Sequence, residues 1–408
     1  MFRSMTLALV VCLVPGFLSA QDHWNQWRGP NQNGSHSSQD LPLEWSESDV
    51  VWRQELPGRG QSTPCIWGDR IFLTSEENDG AKRLVYCLDK NSGKLLWQQT
   101  AWTGTPEETH KLNGWASASC TTDGERIYAF FGKGGLHCYT VEGEPVWKKE
   151  LGSFEGQWGT AASPVIVRGM LIQNCDADAD ARLIAFDKVT GKEIWNTKRE
   201  DARGWSTPIL IEYNSREELV LNGDSRVSAY NPDSGEILWF CRSFAGRGEP
   251  MATFANGLIH MINGKPGDIY AVRPGGSGDV TETHLVWHTR RGGGRDLPSP
   301  VIIGKYMLAV NMDGVLACYE SPSGKELWRE RMGGRHVGSP ITYRGRALLM
   351  DDTGKVYVVN PGPKMDVERV NSIGDRGEES FRSSIAPNDG NLYLRSTAAL
   401  YKIGQPSK

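Results

Sequence analysis

Three carboxylates alternate as Asp176, Asp178 and Asp180, and an oxygen-ligand loop for a divalent cation is the chemistry such a run could support. A calcium loop starting at Asp176 would have Ala181 at its sixth position, where Gly makes the sharp turn, and Asp187 at its twelfth. If the run stays extended, the carboxylates point one way about 7 Å apart and cannot chelate. Asp176, Asp178 and Asp180 are therefore metal candidates, with a solvated hairpin loop as the competing reading. His284 and His288 have the spacing of a helical zinc clip, but Leu285-Val286-Trp287 reads as strand and separates them by roughly 13 Å. His110, in His-Lys-Leu-Asn-Gly-Trp, has no neighbouring nucleophile or orienting partner, so packing is expected of it. No zincin, phosphate-loop or nucleophile-elbow motif occurs.

Cations are arranged more suggestively. Counting back five from prolines that open strands gives Arg59, Arg203, Arg295 and Arg335, and Arg247 and Arg382 occupy comparable places. Gln61, Trp115, Gln157, Trp158, Trp205, His336 and Phe381 stand beside them. If these segments converge, guanidinium groups interleaved with aromatic faces would bind carboxylate, phosphate or a stretch of peptide. The competing reading has each Arg bracing an acidic neighbour such as Glu249, Asp296 or Glu379.

Whether they converge depends on the elements that carry them, and those elements repeat. Asp-Lys-Asn-Ser-Gly-Lys-Leu-Leu-Trp (89–97) returns in variant form at 187–195, 231–239 and 320–328, with looser copies ending at Trp147 and Trp287. Polar turn residues, a Gly and an alternating strand make each copy a hairpin. Upstream of the hairpins, Ser-Pro or Thr-Pro opens a strand at Pro64, Pro164, Pro208, Pro300 and Pro340. Trp markers at 52, 97, 147, 195, 239, 287 and 328 recur at intervals of 41 to 50 residues. Four strands per period of that length predict propeller blades. Two units lack the Trp, at 339–370 and 383–403, and the last has only three strands.

The isolated strand at 50–54 completes it, which predicts an all-β fold. The architecture is an eight-bladed β-propeller of four-stranded antiparallel blades, closed by pairing of an N-terminal strand with the C-terminal blade. Seven blades follow only if 339–370 is not one. The lead-in segments of a propeller surround its channel, so Arg59, Gln61, Trp115, Trp158, Arg203, Trp205, Arg247, Arg295, Arg335, His336 and Arg382 are the predicted channel-mouth ligand site. Trp97, Trp147, Trp195, Trp239, Trp287 and Trp328 are predicted to be structural, packing between neighbouring blades with the indole N–H bonded across the gap.

Residues 1–20 read as a signal peptide: an early Arg3, an apolar run over 7–14, and small residues before Gln21. Residues 21–49 are a short extension and 50–403 the propeller. Cys12 lacks the small residues that precede a lipidated Cys, and the remaining seven cysteines form no CxxC or adjacent pair, so neither a disulfide framework nor a thiolate metal site is indicated. Cys87, Cys138 and Cys318 take the slot held by Ala185, Ala229 and Ala271 and read as small buried residues. A net charge of −4 without a Lys/Arg run gives no support for nucleic acid or a membrane surface as partner. A soluble monomer in the periplasm or secreted is expected.

The Ser-Pro openings, the strand Leu183-Ile184-Ala185-Phe186-Asp187 and the Thr-Gly-Lys-Glu-Ile-Trp ending resemble the pyrroloquinoline-quinone (PQQ) repeat family. That family includes quinoprotein alcohol dehydrogenases and the propeller of the outer-membrane β-barrel assembly machinery. Trp27-Arg28-Gly29-Pro30 and the segment 122–132 look more specifically like exported propellers of planctomycete-type bacteria. The resemblance covers roughly residues 24–403 and implies fold more than activity. The family's enzymes hold PQQ with an adjacent Cys pair, a Trp floor and Ca²⁺; this chain has no such pair. The expectation is a non-catalytic scaffold without cofactor that binds protein or a small anionic ligand through its channel face. The alternative is a reduced PQQ-dependent dehydrogenase of alcohols or sugars, with Asp176, Asp178 and the channel arginines near the cofactor.

Overall fold

A computed structural model describes residues 23–36, 40–178, 180–200, 204–242, 246–291 and 294–404. The signal-peptide expectation and Arg203 fall outside them. Eight sheets of at least four strands follow one another along the chain. Blade 1 begins at Cys65–Trp67, and blades 2 to 7 begin at Thr121–Thr122, Val165–Val167, Ile209–Tyr213, Thr253–Ala255, Val301–Ile303 and Ile341–Tyr343. Blade 8 takes Ala386–Asn388, Asn391–Arg395 and Ala399–Ile403 from the end of the chain and its fourth strand, Val50–Glu55, from near the beginning. Trp52 pairs with Lys402 and Gln54 with Leu400, the antiparallel closure predicted from the two incomplete fragments. Among the described residues no helix is long and apolar enough to cross a membrane.

Second and third strands are almost wholly buried, as in Ile71 to Leu73 and Leu84 to Leu88, while fourth strands alternate. That is the burial of radial sheets stacked face to face, inner strands shielded and outer strands half wet. Two devices lock neighbouring blades together. At the periphery, five repeat tryptophans donate their indole N–H to a turn carbonyl of the next blade: Trp97 to Val141, Trp147 to Lys188, Trp195 to Pro232, Trp287 to Ser321 and Trp328 to Gly362, at 2.9–3.2 Å. The repeat Gly lies beneath that indole. At Gly143, φ is 96°, and a Cβ would sit 2.6 Å from the Trp97 ring, so both backbone and space require glycine.

Around the axis runs the second device, which explains the recurrent Ser-Pro. Each Ser or Thr hydroxyl accepts the backbone N–H of the equivalent residue one blade earlier. Thr63 donates to Ser119, Ser119 to Ser163 and Ser163 to Thr207. Ser299 donates to Ser339, Ser339 to Ser384, and Ser384 back to Thr63. The distances are 2.9–3.1 Å. Where a proline follows, it has no N–H of its own to satisfy, and its fixed φ extends the chain into the strand. Only blade 5 departs, with Met251 in the hydroxyl position; its N–H still reaches Ser299 Oγ at 2.9 Å.

Residues 23–36 are no loose extension; they stop one end of the channel. The Trp24 backbone bridges Ile66 of blade 1, and Asn25 O accepts the N–H of Thr122 in blade 2. Gln32 Oε1 accepts Leu210 N–H of blade 4, and Ser35–His36 pairs in parallel with blade 7. Arg28, 1% exposed, donates to Thr253 Oγ1 of blade 5 at 3.3 Å and to the carbonyls of Pro300 and Asn33 at 2.8 Å each. No carboxylate pairs with it among the described residues, and burial lowers its pKa to about 9.

Candidate functional site: a cup at the open end of the channel

With the far end stopped, the channel is a blind cup. Its floor is Trp27, whose indole N–H lies 3.4 Å from Ser384 Oγ. Above the floor come hydroxyls of the axial ring, then an upper wall of Trp158, Trp205, His110 and Leu297. The cavity measures about 160 Å³. A cavity of about 150 Å³ holds benzene, so this one suits a single ring.

The lead-in segments do converge here. Trp205 donates to Gly159 O at 2.7 Å, and Gln61 donates to Leu112 O at 3.2 Å. Arg247 stacks on Trp158 with its guanidinium carbon 4.6 Å from the ring centre, and His110 lies 5.3 Å from the same ring. His110 Nδ1 accepts Leu112 N–H at 3.2 Å, which puts its proton on Nε2 when the ring is neutral. Burial first, then Arg295, Lys111 and Arg247, holds this imidazole below its ordinary pKa.

The mouth is electrically two-sided. On the blade 5 and 6 side, Glu249 accepts Arg295 at 2.8 Å and lies 4.0 Å from Arg247; buried Asp296 pairs at 2.5 Å with Arg291. Burial raises both carboxyls against the pull of these arginines, Asp296 to about 6. On the side of blades 7, 8 and 1, Arg382 donates only to Ser380 Oγ and Lys111 O, both at 3.2 Å, while Arg59 and Arg335 are exposed. Neither Arg59, Arg335 nor Arg382 forms an ion pair among the described residues. The bracing arrangement thus holds for Arg247 and Arg295 and not for the other three. Glu379 braces Arg53 instead, at 2.7 Å.

Of the predicted residues, Arg59 and Trp115 line the neighbouring groove and not the cup, and Arg335 and His336 line neither. His336 is fully buried, with its ring nitrogens 3.1 and 3.0 Å from the carbonyls of Met350 and Gly333; it faces away from the exposed Arg335 because successive side chains alternate. Trp115 covers Gly80 and donates to Glu107 O at 2.8 Å, lining a groove outside the mouth. The aspartate run diverges. Asp176 accepts buried Arg199 at 2.7 Å and Asp180 pairs with Arg182 at 3.0 Å. No three His, Cys, Asp or Glu side chains gather closely enough to hold a metal among the described residues. His288 meets Asp268 at 3.0 Å, away from His284.

Sequence reasoning missed Trp27, the hydroxyl ring and Asn113, whose amide donates to Trp158 O at 2.8 Å. The recurrent Ser-Pro was the available signal for the ring. Around the cup, Trp158 Nε1, Arg295 Nε and Glu249 Oε2 are buried without a hydrogen-bond partner among the described residues.

Closed eight-bladed propellers of this repeat form one structural class, which this chain shares with a europium-containing methanol dehydrogenase at TM-score 0.71, 11% identity, covering 94% of this chain and 98% of that one. The chain belongs to the PQQ-repeat family described as outer membrane protein assembly factor BamB, whose profile matches residues 81–249 and 265–363. It is similar to the BamB of Bordetella pertussis, 27% identical over 250 residues, 56% of this chain and 58% of that protein. It is also similar to a polyvinylalcohol dehydrogenase of a Pseudomonas species, 23% identical over 69% of this chain and 53% of the enzyme. The chain therefore spans little more than half the length of these curated relatives.

Proposed function

We propose that this chain is an exported, non-catalytic binding propeller of the bacterial envelope that docks a protein, or an anionic ligand, in the cup at its channel mouth. The observation that carries the reading is the meeting of Trp158, Trp205 and His110 in one cavity with Arg382, which donates only to neutral oxygens. Relatives named as outer membrane assembly factors support a protein partner, and membership of an envelope assembly complex is part of the proposal. The dehydrogenase alternative fits the residues less well. A single-ring cavity does not suit a fused tricyclic quinone, no adjacent cysteines are present, and Asp176 and Asp180 of the aspartate run pair with Arg199 and Arg182.

A photoreactive residue at Leu297, in the cup wall, tests this against one at Leu96, on an outer strand. Adducts with envelope protein from position 297, reduced by Arg382→Ala, are expected. Adducts only from position 96 would overturn the reading. Dye reduction on adding PQQ with Ca²⁺ and an alcohol would replace it with the dehydrogenase.

A further inference from the structure

Outside the cup lies a groove of about 1100 Å³ over the closing seam, between blades 8 and 1. It shares Gln61, His110, Asn113 and Arg382 with the cup, so the two are one continuous depression. Their sizes differ sharply: about 160 Å³ for the cup, which accepts a single ring, against about 1100 Å³ for the groove, which Gly58, Gly60 and Gly114 help to line. Arg382 stands at the junction, half-buried, with only neutral oxygens as partners. Burial lowers its pKa, with Asp352 opposing that shift and Arg335 adding to it, and a guanidinium is charged throughout the ordinary pH range.

Charge along the groove is mixed. Arg59 and Lys111 form no ion pair among the described residues, but Glu76, Asp79, Glu378 and the paired Glu379 share its walls. With Arg53, Arg59, Lys111 and Arg376 set among these carboxylates, the groove offers a polyanionic guest no uniformly positive wall, whereas one negative charge at the junction meets Arg382. Resting on the channel-mouth reading, the geometry points to the end of a polypeptide: an aromatic C-terminal residue in the cup, its α-carboxylate on Arg382, and the preceding residues extended along the groove. A carboxylate accepts two parallel N–H bonds from a guanidinium, and an α-carboxylate brings its side chain at a fixed short distance. An internal acidic-aromatic pair lacks that constraint, because its chain must also leave the cup.

The test uses the full propeller and six-residue Gly/Ser peptides ending in Phe, read by tryptophan fluorescence and calorimetry. The free-acid peptide is expected to bind at least tenfold more tightly than its C-terminal amide, than the same peptide ending in Ala, and than 3-phenylpropionate. Arg382→Gln should abolish the acid-over-amide preference while leaving the circular dichroism unchanged. Equal binding of acid and amide would overturn the proposal without any variant being needed. Phenylpropionate binding as tightly as the peptide would overturn the groove's part and leave a small-molecule site. If no peptide binds while the Leu297 adducts still form and still require Arg382, this inference falls and the channel-mouth reading stands; if those adducts are absent too, both fall.

Discussion

Blades 2 and 3 are joined twice, by Ser119 N–H to Ser163 Oγ at the axis and by Trp147 to Lys188 O at the rim. Blades 4 and 5 are joined by neither device. Met251 takes the hydroxyl's place, and the indole of Trp239 turns back to Glu218 Oε2 in its own blade at 2.8 Å. Besides the bonds of Ser206 Oγ and Asn222 to Pro250 O, at 3.2 and 3.0 Å, this seam has a segment of blade 5 that crosses to blade 4: Gly278–Asp279 lies parallel to Trp239–Phe240. Glu218, fully buried, ties it down by accepting Trp239 and, at 3.4 Å, Gly275 N–H, while its other oxygen takes Arg216 at 2.8 Å. Arg216 in turn donates to Gly276 O at 3.1 Å. The seams at blades 7–8 and 8–1 also lack the indole-to-carbonyl bond, since Arg369 stands in the Trp slot and Trp52 Nε1 has no partner among the described residues, but both retain the axial hydroxyl. Seams of repeated blades can thus differ in what joins them: a hydroxyl, an indole or a crossing segment.

The largest test of this contrast is Glu218→Ala. It strips acceptors from Trp239, Gly275 and Arg216 together, and should lower stability by about 3 kcal/mol in chemical unfolding. A loss below about 1 kcal/mol would mean the crossing segment holds without its carboxylate. At a regular seam, Gly143→Ala should cost about 2 kcal/mol, because it adds both φ strain and a clash with Trp97. Ser163→Ala, which leaves Ser119 N–H unpaired in a buried place, should cost about 1–2 kcal/mol. Met251→Leu, touching no hydroxyl bond, should cost less than about 1.5 kcal/mol. Equal losses for the last two would remove any distinction between the seams.

The smallest effect is on pH. Burial lowers the pKa of His137, His260 and His336, so the fold prefers them neutral. Their contribution is present above about pH 6.5 and is lost as pH falls below it, where the unfolded chain takes up protons more readily. Asp296, raised to about 6, favours the fold when protonated and opposes that trend. The midpoint of thermal unfolding should fall between pH 7 and 5, and fall more steeply once Asp296→Asn removes the opposing group.

Hairpins and closure were legible because turn chemistry and strand alternation are local, and because two unpaired fragments at opposite ends had an obvious solution. The tryptophans were legible for the same reason, except Trp239, whose partner depends on an insertion forty residues later. The channel stop at 23–36 was not legible: its bonds reach seven blades, and nothing in Trp-Arg-Gly-Pro indicates where those blades will be. At the mouth, counting back from prolines located lead-in segments but not the facing of their side chains. One residue's shift separates exposed Arg335 from buried His336, and ion pairing of Arg247 and Arg295 depends on where Glu249 falls in space.

Because Val50–Glu55 must wait for Ala399–Ile403, the ring cannot be finished by a partial chain. A copy truncated anywhere in the last blade keeps two raw strand margins, free to pair with other chains or to be cut by proteases. Completion of the last blade is thereby coupled to concealment of those margins, and with it to presentation of the cup.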